Sequence, residues 1–190
     1  MKVGLYFGSF NPVHIGHLAI ANYFVEFTDI EQLWFIISPQ NPLKSKDILL
    51  PDYQRFELLY RAVGNENKYR ISDIEFRMPR PSYTIDTLTY LKNKYPDYQF
   101  IIIMGSDGLS TFNKWKNYKQ IIRDFPRYIY PRPGSEYIDA EKHKNMKLVN
   151  APLIEISASF IRQAIKEKKD MKYFLPKDVY DYITEMHFFE

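Results

Sequence analysis

Hydrophobic positions along the chain alternate between short continuous runs and longer stretches in which they recur at helical spacing. The short runs predict buried strands at residues 3–7, 32–37, 69–74, 99–104 and 127–130. The helical spacing predicts a helix that begins near residue 16, further helices over residues 51–63, 84–95 and 177–186, and one that begins at Ser157. Residues 135–146 are interpreted as a surface connection, and residues 146–149 and 153–156 could form a last strand or an extended stretch.

Strands that alternate with helices of this length are typical of the α/β class. We expect a doubly wound, Rossmann-like parallel sheet with helices on both faces, in which the strongly apolar residues 100–104 belong to a central strand. No internal repeat or low-complexity linker interrupts the sequence. We therefore expect a single domain over residues 1–190, with the residues from about 157 onward forming a C-terminal helical portion.

The overall composition narrows the class of protein. The chain is 45% hydrophobic and 17% aromatic, which is typical of a globular protein and excludes a disordered chain. The net charge of +3 would help to attract polyanions such as nucleotides, but the basic residues form no dense tract of the kind found in nucleic-acid-binding proteins. Because cysteine is absent, a disulfide framework and a thiolate metal site are excluded. No apolar run approaches the roughly 18 residues of a membrane span, and the first run does not resemble a signal peptide, so we expect a cytoplasmic protein.

The polar run between the first strand and the first helix carries the strongest candidate chemistry. It reads Gly8-Ser9-Phe10-Asn11-Pro12-Val13-His14-Ile15-Gly16-His17. A strand, a tight turn and a helix start in this order direct unpaired N–H groups and a partial positive charge toward a bound anion. Gly8 would allow the backbone to approach a ligand closely, and the spacing of His14 and His17 places both imidazoles on one side. A His-x-x-His pair alone is frequent by chance, and it is the complete run directly after a strand that favours function.

Loops after two other predicted strands offer candidates with two interpretations each. Lys44 follows the strand at residues 32–37 and Asp107 follows the strand at residues 99–104, so both would lie at the carboxyl edge of the sheet, where α/β proteins bind ligands. Lys44 could equally be a solvated surface residue, and Asp107 could equally cap a helix. Trp115 lies in a lysine-rich stretch and could either stack on a flat ring or pack structurally.

A second anion site is indicated near the C-terminus. Ser157 is a natural N-cap, and Arg162 lies one turn into the helix that follows, where its guanidinium could bind a phosphate. The alternative interpretation is a capped helix that binds no ligand.

The run from Gly8 to His17 resembles the signature of the nucleotidyltransferase superfamily of adenylyl- and cytidylyltransferases, which ends in His-x-Gly-His. Residues 156–162, Ile-Ser-Ala-Ser-Phe-Ile-Arg, are similar to its second signature, Ile-Ser-Ser-Thr-x-Ile-Arg. Within the superfamily, the chain also resembles bacterial nicotinate mononucleotide adenylyltransferases at their internal motifs. These similarities lie at residues 80–88, 105–107, 130–134 and 175–183, together with Trp115. The chain departs from these patterns at Ala158 and Ser159, at Leu43 where many relatives have histidine, and at Tyr118 where some have tryptophan.

The resemblance implies transfer of AMP from ATP to nicotinate mononucleotide, which gives nicotinate adenine dinucleotide and pyrophosphate in NAD biosynthesis. It implies catalytic roles for His14, His17, Lys44 and Arg162. It implies ATP contacts from Gly8, Ser9, Phe10, His14, His17, Gly105, Asp107, Ile156, Ser157 and Arg162. It implies nicotinate mononucleotide contacts from Ser9, Lys44, Tyr83, Thr84, Asp107 and Trp115. Mg²⁺ is expected as the counterion of ATP, and no metal site made by the protein alone is expected.

The chemistry of this reaction explains why the sequence needs neither a Ser-His-Asp triad nor paired carboxylates. The nucleophile is a phosphate monoester, which is mostly dianionic near neutral pH because its second pKa is about 6. It therefore needs no general base. The reaction needs in-line alignment of the two substrates and stabilisation of the charge that develops on pyrophosphate.

Three alternatives stay open on the sequence. One is another nucleotidyltransferase, specific for nicotinamide mononucleotide or phosphopantetheine, although phosphopantetheine adenylyltransferases lack the motif at residues 82–88. Another is a non-catalytic nucleotide-binding module, in which a signature histidine would be expected to be lost. The third, an RNA-binding α/β protein, is disfavoured by the scattered basic residues, so neither a nucleic acid nor a membrane is expected as a partner.

Overall fold

The computed structural model describes residues 1–39, 49–134 and 145–190. Within these ranges, six strands form one sheet in the order β3-β2-β1-β4-β5-β6, and every neighbouring pair is parallel. Their bounds are β1 Lys2–Gly8, β2 Gln32–Ile37, β3 Tyr69–Ser72, β4 Gln99–Gly105, β5 Arg127–Tyr130 and β6 Met146–Leu148. The predicted parallel α/β fold is therefore confirmed, and the uncertain residues 146–149 supply the last strand while residues 153–156 form none.

Six helices lie in the described residues, and five of them were predicted. They are α1 Ile15–Phe27, α2 Asp52–Val63, α3 Thr84–Lys94, α4 Tyr118–Asp124, α5 Ala158–Lys166 and α6 Lys177–Glu185. Helix α4 is an element that the sequence pattern did not predict, as are the 3₁₀ segments Ile74–Arg77, Ser106–Lys114 and Lys172–Phe174. Ser157 caps α5 as predicted, because its Oγ accepts the Phe160 N–H at 3.1 Å.

The central strands are buried on both faces, which explains their continuous apolar sequence. Along β1, Leu5 packs in one core cluster with Leu88 of α3, while the next residue, Tyr6, packs in the other with Phe24 of α1. The second of these clusters also contains Val179 of α6, so the C-terminal helices pack on the same face of the sheet as α1. Helices therefore cover both faces of the sheet.

The strand order creates a crevice at the carboxyl edge of the sheet. From β1 the chain proceeds outward through β2 and β3, whereas β4, β5 and β6 extend from the other side of β1. The connections after β1 and β4 therefore diverge, and ligands of doubly wound sheets bind at such a point. None of the helices in the described part of the chain is long and apolar enough to cross a bilayer.

Candidate active site

Arg132 joins three segments at the carboxyl edge of the sheet. It follows β5, and its backbone N–H donates to Ser106 Oγ, directly after β4, at 2.8 Å. Its guanidinium donates to the Ile154 carbonyl oxygen at 3.3 Å and lies 3.9 Å from the Asp107 carboxylate. A Cβ on Gly105 would lie 2.8 Å from Arg132 Cγ, so the glycine makes room for this side chain. A cationic group is thus held over the exits of β4 and β5.

His14 and His17 lie side by side at the start of α1, as their spacing predicts. Their ring centroids are 3.8 Å apart, and the rings are tilted by 30°. The backbone N–H of His14, the N-cap residue, donates to His17 Nδ1 at 3.3 Å. A neutral imidazole that accepts at Nδ1 carries its proton on Nε2, so His17 presents an Nε2–H donor.

The environment of His14 favours its neutral form. The residue is only 4% exposed. Burial lowers the pKa of His14 from 6.5 to about 4, and the positive charge of Arg132 acts in the same direction. Its buried Nδ1 has no hydrogen-bond partner among the described residues. His14 is therefore neutral near pH 7, with a single N–H to donate, and the guanidinium groups carry the positive charge of the site.

Phe10 supports His17 from within the core. Its backbone has a φ of 46° in the left-handed region, and its ring lies 5.1 Å from that of His17 and 5.5 Å from that of Phe35, measured between centroids. A Cβ on Gly8 would lie 2.9 Å from Phe10 Cζ, so a residue larger than glycine at position 8 would clash with this ring. Because the side chain of Phe10 is buried, its backbone is the part that could contact ATP.

Arg55 fixes the loops that follow β1 and β2. Its guanidinium is fully buried in α2 and donates to the carbonyl oxygens of Ser9 at 2.8 Å and Ser38 at 2.7 Å. It also forms an ion pair with Asp52 at 2.5 Å. Asp52 in turn accepts from Arg80, in the loop before α3, at 2.6 Å. The loop after β1 is therefore anchored to the same network as the loop before α3.

Arg162 brings α5 to the loop after β1. Its Nη1 donates to the Asn11 carbonyl oxygen at 2.8 Å, and its Nη2 donates to Ser159 Oγ at 3.3 Å. Burial lowers the pKa of Arg162, although the guanidinium remains charged near pH 7. Ser157 lies at the start of the same helix, directly after the half-buried Ile156. The second predicted anion site therefore adjoins the first.

The start of α3 forms another part of the edge. Its N-cap residue, Tyr83, makes no side-chain cap hydrogen bond within the described residues, and the first N–H of the helix that donates to the Tyr83 carbonyl oxygen is that of Asp86, at 2.9 Å. The N–H groups of Thr84 and Ile85 therefore precede the first helical hydrogen bond. Lys116 Nζ lies 4.6 Å from the Tyr83 ring and 2.9 Å from Asp86 Oδ2. The half-buried Trp115 directly precedes Lys116. The segment that carries Trp115 therefore adjoins the start of α3 at Tyr83 and Asp86.

The remaining predicted residues have separate outcomes. Asp107 is exposed in the first turn of the 3₁₀ segment after β4, which begins after Gly105, and it does not cap that segment. Lys44 and Leu43 lie outside the described residues. The sequence interpretation assigned no role to Arg132 or Arg55. Arg132 lies in the motif at residues 130–134, directly after a predicted strand, and this position could have marked it as a site residue. Arg55 has no such mark, because the sequence does not distinguish it from a surface arginine on a helix.

Comparison with known proteins identifies the family. The family model described as cytidylyltransferase-like matches residues 5–164. A protein from Cytophaga hutchinsonii named "Probable nicotinate-nucleotide adenylyltransferase" is 47% identical over 189 residues, which covers 100% of this chain and 98% of the relative. A protein of the same name from Flavobacterium psychrophilum is also 47% identical, and the match covers 100% of both chains.

Solved structures support the fold. Plasmodium falciparum nicotinic acid mononucleotide adenylyltransferase complexed with NaAD has a TM-score of 0.84 at 21% identity, and the match covers 99% of this chain and 97% of that one. The same enzyme complexed with APC has a TM-score of 0.82 at 20% identity, with 99% and 96% covered. The architecture, the paired histidines and the sequence matches lead to one conclusion: this chain belongs to the cytidylyltransferase-like family and, within it, to the nicotinate-nucleotide adenylyltransferases.

Proposed function

We propose that this enzyme transfers AMP from ATP to nicotinate mononucleotide and releases pyrophosphate. The observation that carries the proposal is the pair His14 and His17 at the start of α1, located where the connections of the sheet diverge. Arg162 donates to the Asn11 carbonyl oxygen in the loop that leads to this pair. A helix start, two imidazoles and guanidinium groups are donors suited to a chain of phosphates. The names of the relatives supply the acceptor.

In the proposed reaction, a phosphate oxygen of the mononucleotide attacks the α-phosphorus of ATP. A new P–O bond forms, and the bond from the α-phosphorus to the bridging oxygen of pyrophosphate breaks. His17 donates from Nε2 to the phosphates where negative charge develops, and neutral His14 adds a second N–H. Arg162 binds the outer phosphates together with Ser157 at the start of α5.

Further contacts to ATP come from the two strand exits. The backbone of Gly8, Ser9 and Phe10 surrounds the phosphates after β1, while Gly105 and Asp107 lie where a ribose would bind after β4. Ile156 contributes backbone beside Ser157. Lys44 is proposed to reach the triphosphate, from a position outside the described residues.

Mg²⁺ is proposed to arrive with ATP. Among the described residues, no three histidine, aspartate or glutamate side chains cluster in a way that could hold a metal ion. We propose that the ion is coordinated mainly by phosphate oxygens and water, which is the usual mode of Mg²⁺ binding. The ion would neutralise charge on the triphosphate, while the protein's own donors orient it.

The acceptor is proposed to bind at the start of α3. The first N–H groups of this helix favour an anion such as the nicotinate carboxylate. Trp115 offers a ring face to the pyridine, and Tyr83 and Thr84 form the wall beside it. A carboxamide would direct its own NH₂ at some of these donors and leave them unpaired, at a cost of about 1–3 kcal/mol for each buried group. We therefore expect the acid to be preferred over the amide by roughly tenfold or more.

The test is pyrophosphate release with ATP and a panel of acceptors: nicotinate mononucleotide, nicotinamide mononucleotide and phosphopantetheine. The expected result is the highest kcat/KM with nicotinate mononucleotide. Equal use of the two pyridine nucleotides would contradict acid preference but not adenylyl transfer. Turnover with phosphopantetheine but with neither pyridine nucleotide would contradict the proposed function. So would the absence of turnover with all three acceptors.

A further inference from the structure

Glu75 is a buried ionisable residue that the proposed reaction does not use. It lies in the 3₁₀ segment Ile74–Arg77 and is 2% exposed. Burial raises its pKa, and hydrogen bonds from the hydroxyls of Thr87, Ser82 and Ser38 act in the opposite direction. No cation of the described residues contributes to this balance. A carboxyl group that only hydroxyls stabilise is costly to bury, so its contacts call for an explanation.

The contacts of Glu75 converge on the start of α3. Its Oε2 accepts from Ser82 Oγ at 2.8 Å, and its Oε1 accepts from Thr87 Oγ1 at 2.7 Å. Ser82 directly precedes the N-cap residue Tyr83, while Thr87 lies in the first turn of the helix. Both hydroxyls are buried. The carboxyl group therefore fixes the chain on either side of the N–H groups to which the proposed acceptor binds.

The same carboxyl group also faces the end of β2. The side chain of Ser38, the first residue after that strand, hydrogen-bonds to it. The backbone N–H of Ser38 donates to the Gly8 carbonyl oxygen at 2.9 Å, at the end of β1. A short series of hydrogen bonds thus runs from Gly8, at the end of β1, through Ser38 and Glu75 to Ser82. The start of α3 is therefore set relative to the end of β1, where ATP is proposed to bind.

From this geometry we infer that Glu75 is a positioning residue for acceptor specificity, which holds the N–H groups at the start of α3 in the arrangement that selects a carboxylate over a carboxamide. The inference rests on the proposed function, because it concerns the acceptor of that reaction. A carboxylate accepts at both oxygens, so Ser82 and Thr87 must both donate to it. An amide in its place would accept at one oxygen only, and one hydroxyl would have to turn or lose its partner.

The experiment compares wild type with Glu75→Gln and uses the ratio of kcat/KM for nicotinate mononucleotide to that for nicotinamide mononucleotide. We expect this acid-to-amide ratio to fall roughly tenfold, which corresponds to 1.4 kcal/mol, while the KM for ATP changes less than about twofold. A merely structural loss would reduce the fraction of active enzyme. It would then lower kcat for both acceptors equally and leave the ratio unchanged.

Two further variants complete the test. Thr87→Val removes one donor without changing the shape of the side chain, and it should lower the same ratio even if Glu75→Gln folds poorly. Glu57→Gln is the control, since Glu57 is a partly exposed glutamate of α2 paired with Arg61 at 2.7 Å, and its ratio should equal that of wild type. A ratio that stays constant or rises in Glu75→Gln and Thr87→Val would overturn this inference alone. A wild-type enzyme that transfers AMP to neither acceptor would overturn the proposed function and this inference with it.

Discussion

Replacing Arg162 with lysine should weaken ATP binding by a predictable amount. The guanidinium bridges the Asn11 carbonyl oxygen at 2.8 Å and Ser159 Oγ at 3.3 Å. A lysine ammonium is a single point charge on a flexible stem, so it cannot donate to both partners and to a phosphate in the same fork geometry. Asn11 is 3% exposed, so water has little access to a carbonyl oxygen that loses its donor there.

The magnitude follows from the cost of that unpaired acceptor. Leaving one buried acceptor unsatisfied costs about 1–3 kcal/mol. Because the loop after β1 is proposed to bind the triphosphate, we expect this cost to appear in ATP binding, where it would raise the KM for ATP by roughly 5- to 150-fold, at 1.4 kcal/mol per decade. The KM for the mononucleotide should change less than about twofold, because these two hydrogen bonds of Arg162 go to the loop after β1 and to α5 rather than to α3.

The assay is initial-rate pyrophosphate release with each substrate varied at saturating concentrations of the other. Arg123→Lys is the matched control, since Arg123 is an exposed arginine of α4 whose two hydrogen bonds, at 2.7 and 3.0 Å, go to the neighbouring Asp124. Its kinetics should equal those of wild type. An Arg162→Lys enzyme whose KM for ATP stays within twofold of wild type, or whose two KM values rise equally, would refute the reasoning.

Three further predictions concern the start of α1. His17→Ala should lower kcat roughly 10²–10³-fold in the pyrophosphate assay, with the fold intact by circular dichroism, and near-normal turnover would show that His17 has another role. The pKa of the His14 imidazole should be about 4 by NMR. His14 would be protonated near pH 6.5 in the unfolded chain but only near pH 4 in the folded protein. The free energy of unfolding should therefore decline by about 3 kcal/mol as the pH falls between these two values. His14→Gln should remove this decline. Gly16→Ala should reduce the free energy of unfolding by about 1–3 kcal/mol in urea titrations, because its Cβ would lie 2.9 Å from Ile154 Cγ2 and 3.0 Å from His14 Nδ1, and an unchanged midpoint would contradict that packing.

Local patterns in the sequence predicted the fold well because the relevant signals are short-range. The buried strand before Gly8 and the helix after it follow from apolar spacing alone, and the cap at Ser157 follows from its hydroxyl and the helix after it. Helix α4 was missed for a physical reason. It has seven residues and begins after Asn117, which adopts a left-handed conformation and provides no side-chain cap, so neither length nor capping marks it in the sequence.

The polar contacts behind the site could not be predicted in this way. Arg162 and Asn11 are 151 residues apart in the chain, and their hydrogen bond exists only because β1 and α5 meet in the folded structure. Arg55 and Glu75 are buried, although arginine and glutamate are residue types that usually lie at the surface. Whether an ionisable group is buried depends on which elements pack over it in the folded structure. Residue type and spacing along the chain therefore do not predict this burial.

The charges at the helix starts are distributed in a way that agrees with the proposed roles. Helices α2, α3 and α6 each carry an aspartate in the first turn, which compensates the partial positive charge of the helix. Helices α1 and α5, which begin at the proposed phosphate site, carry no acidic residue there. The aspartate of α3, Asp86, is paired with Lys116 at 2.9 Å, so its charge is partly neutralised beside the proposed carboxylate site. Under the proposed function, an anion supplied by the substrate would occupy, at α1 and α5, the electrostatic position that an aspartate side chain fills at α2 and α6. The short helix α4 likewise carries no acidic residue in its first turn.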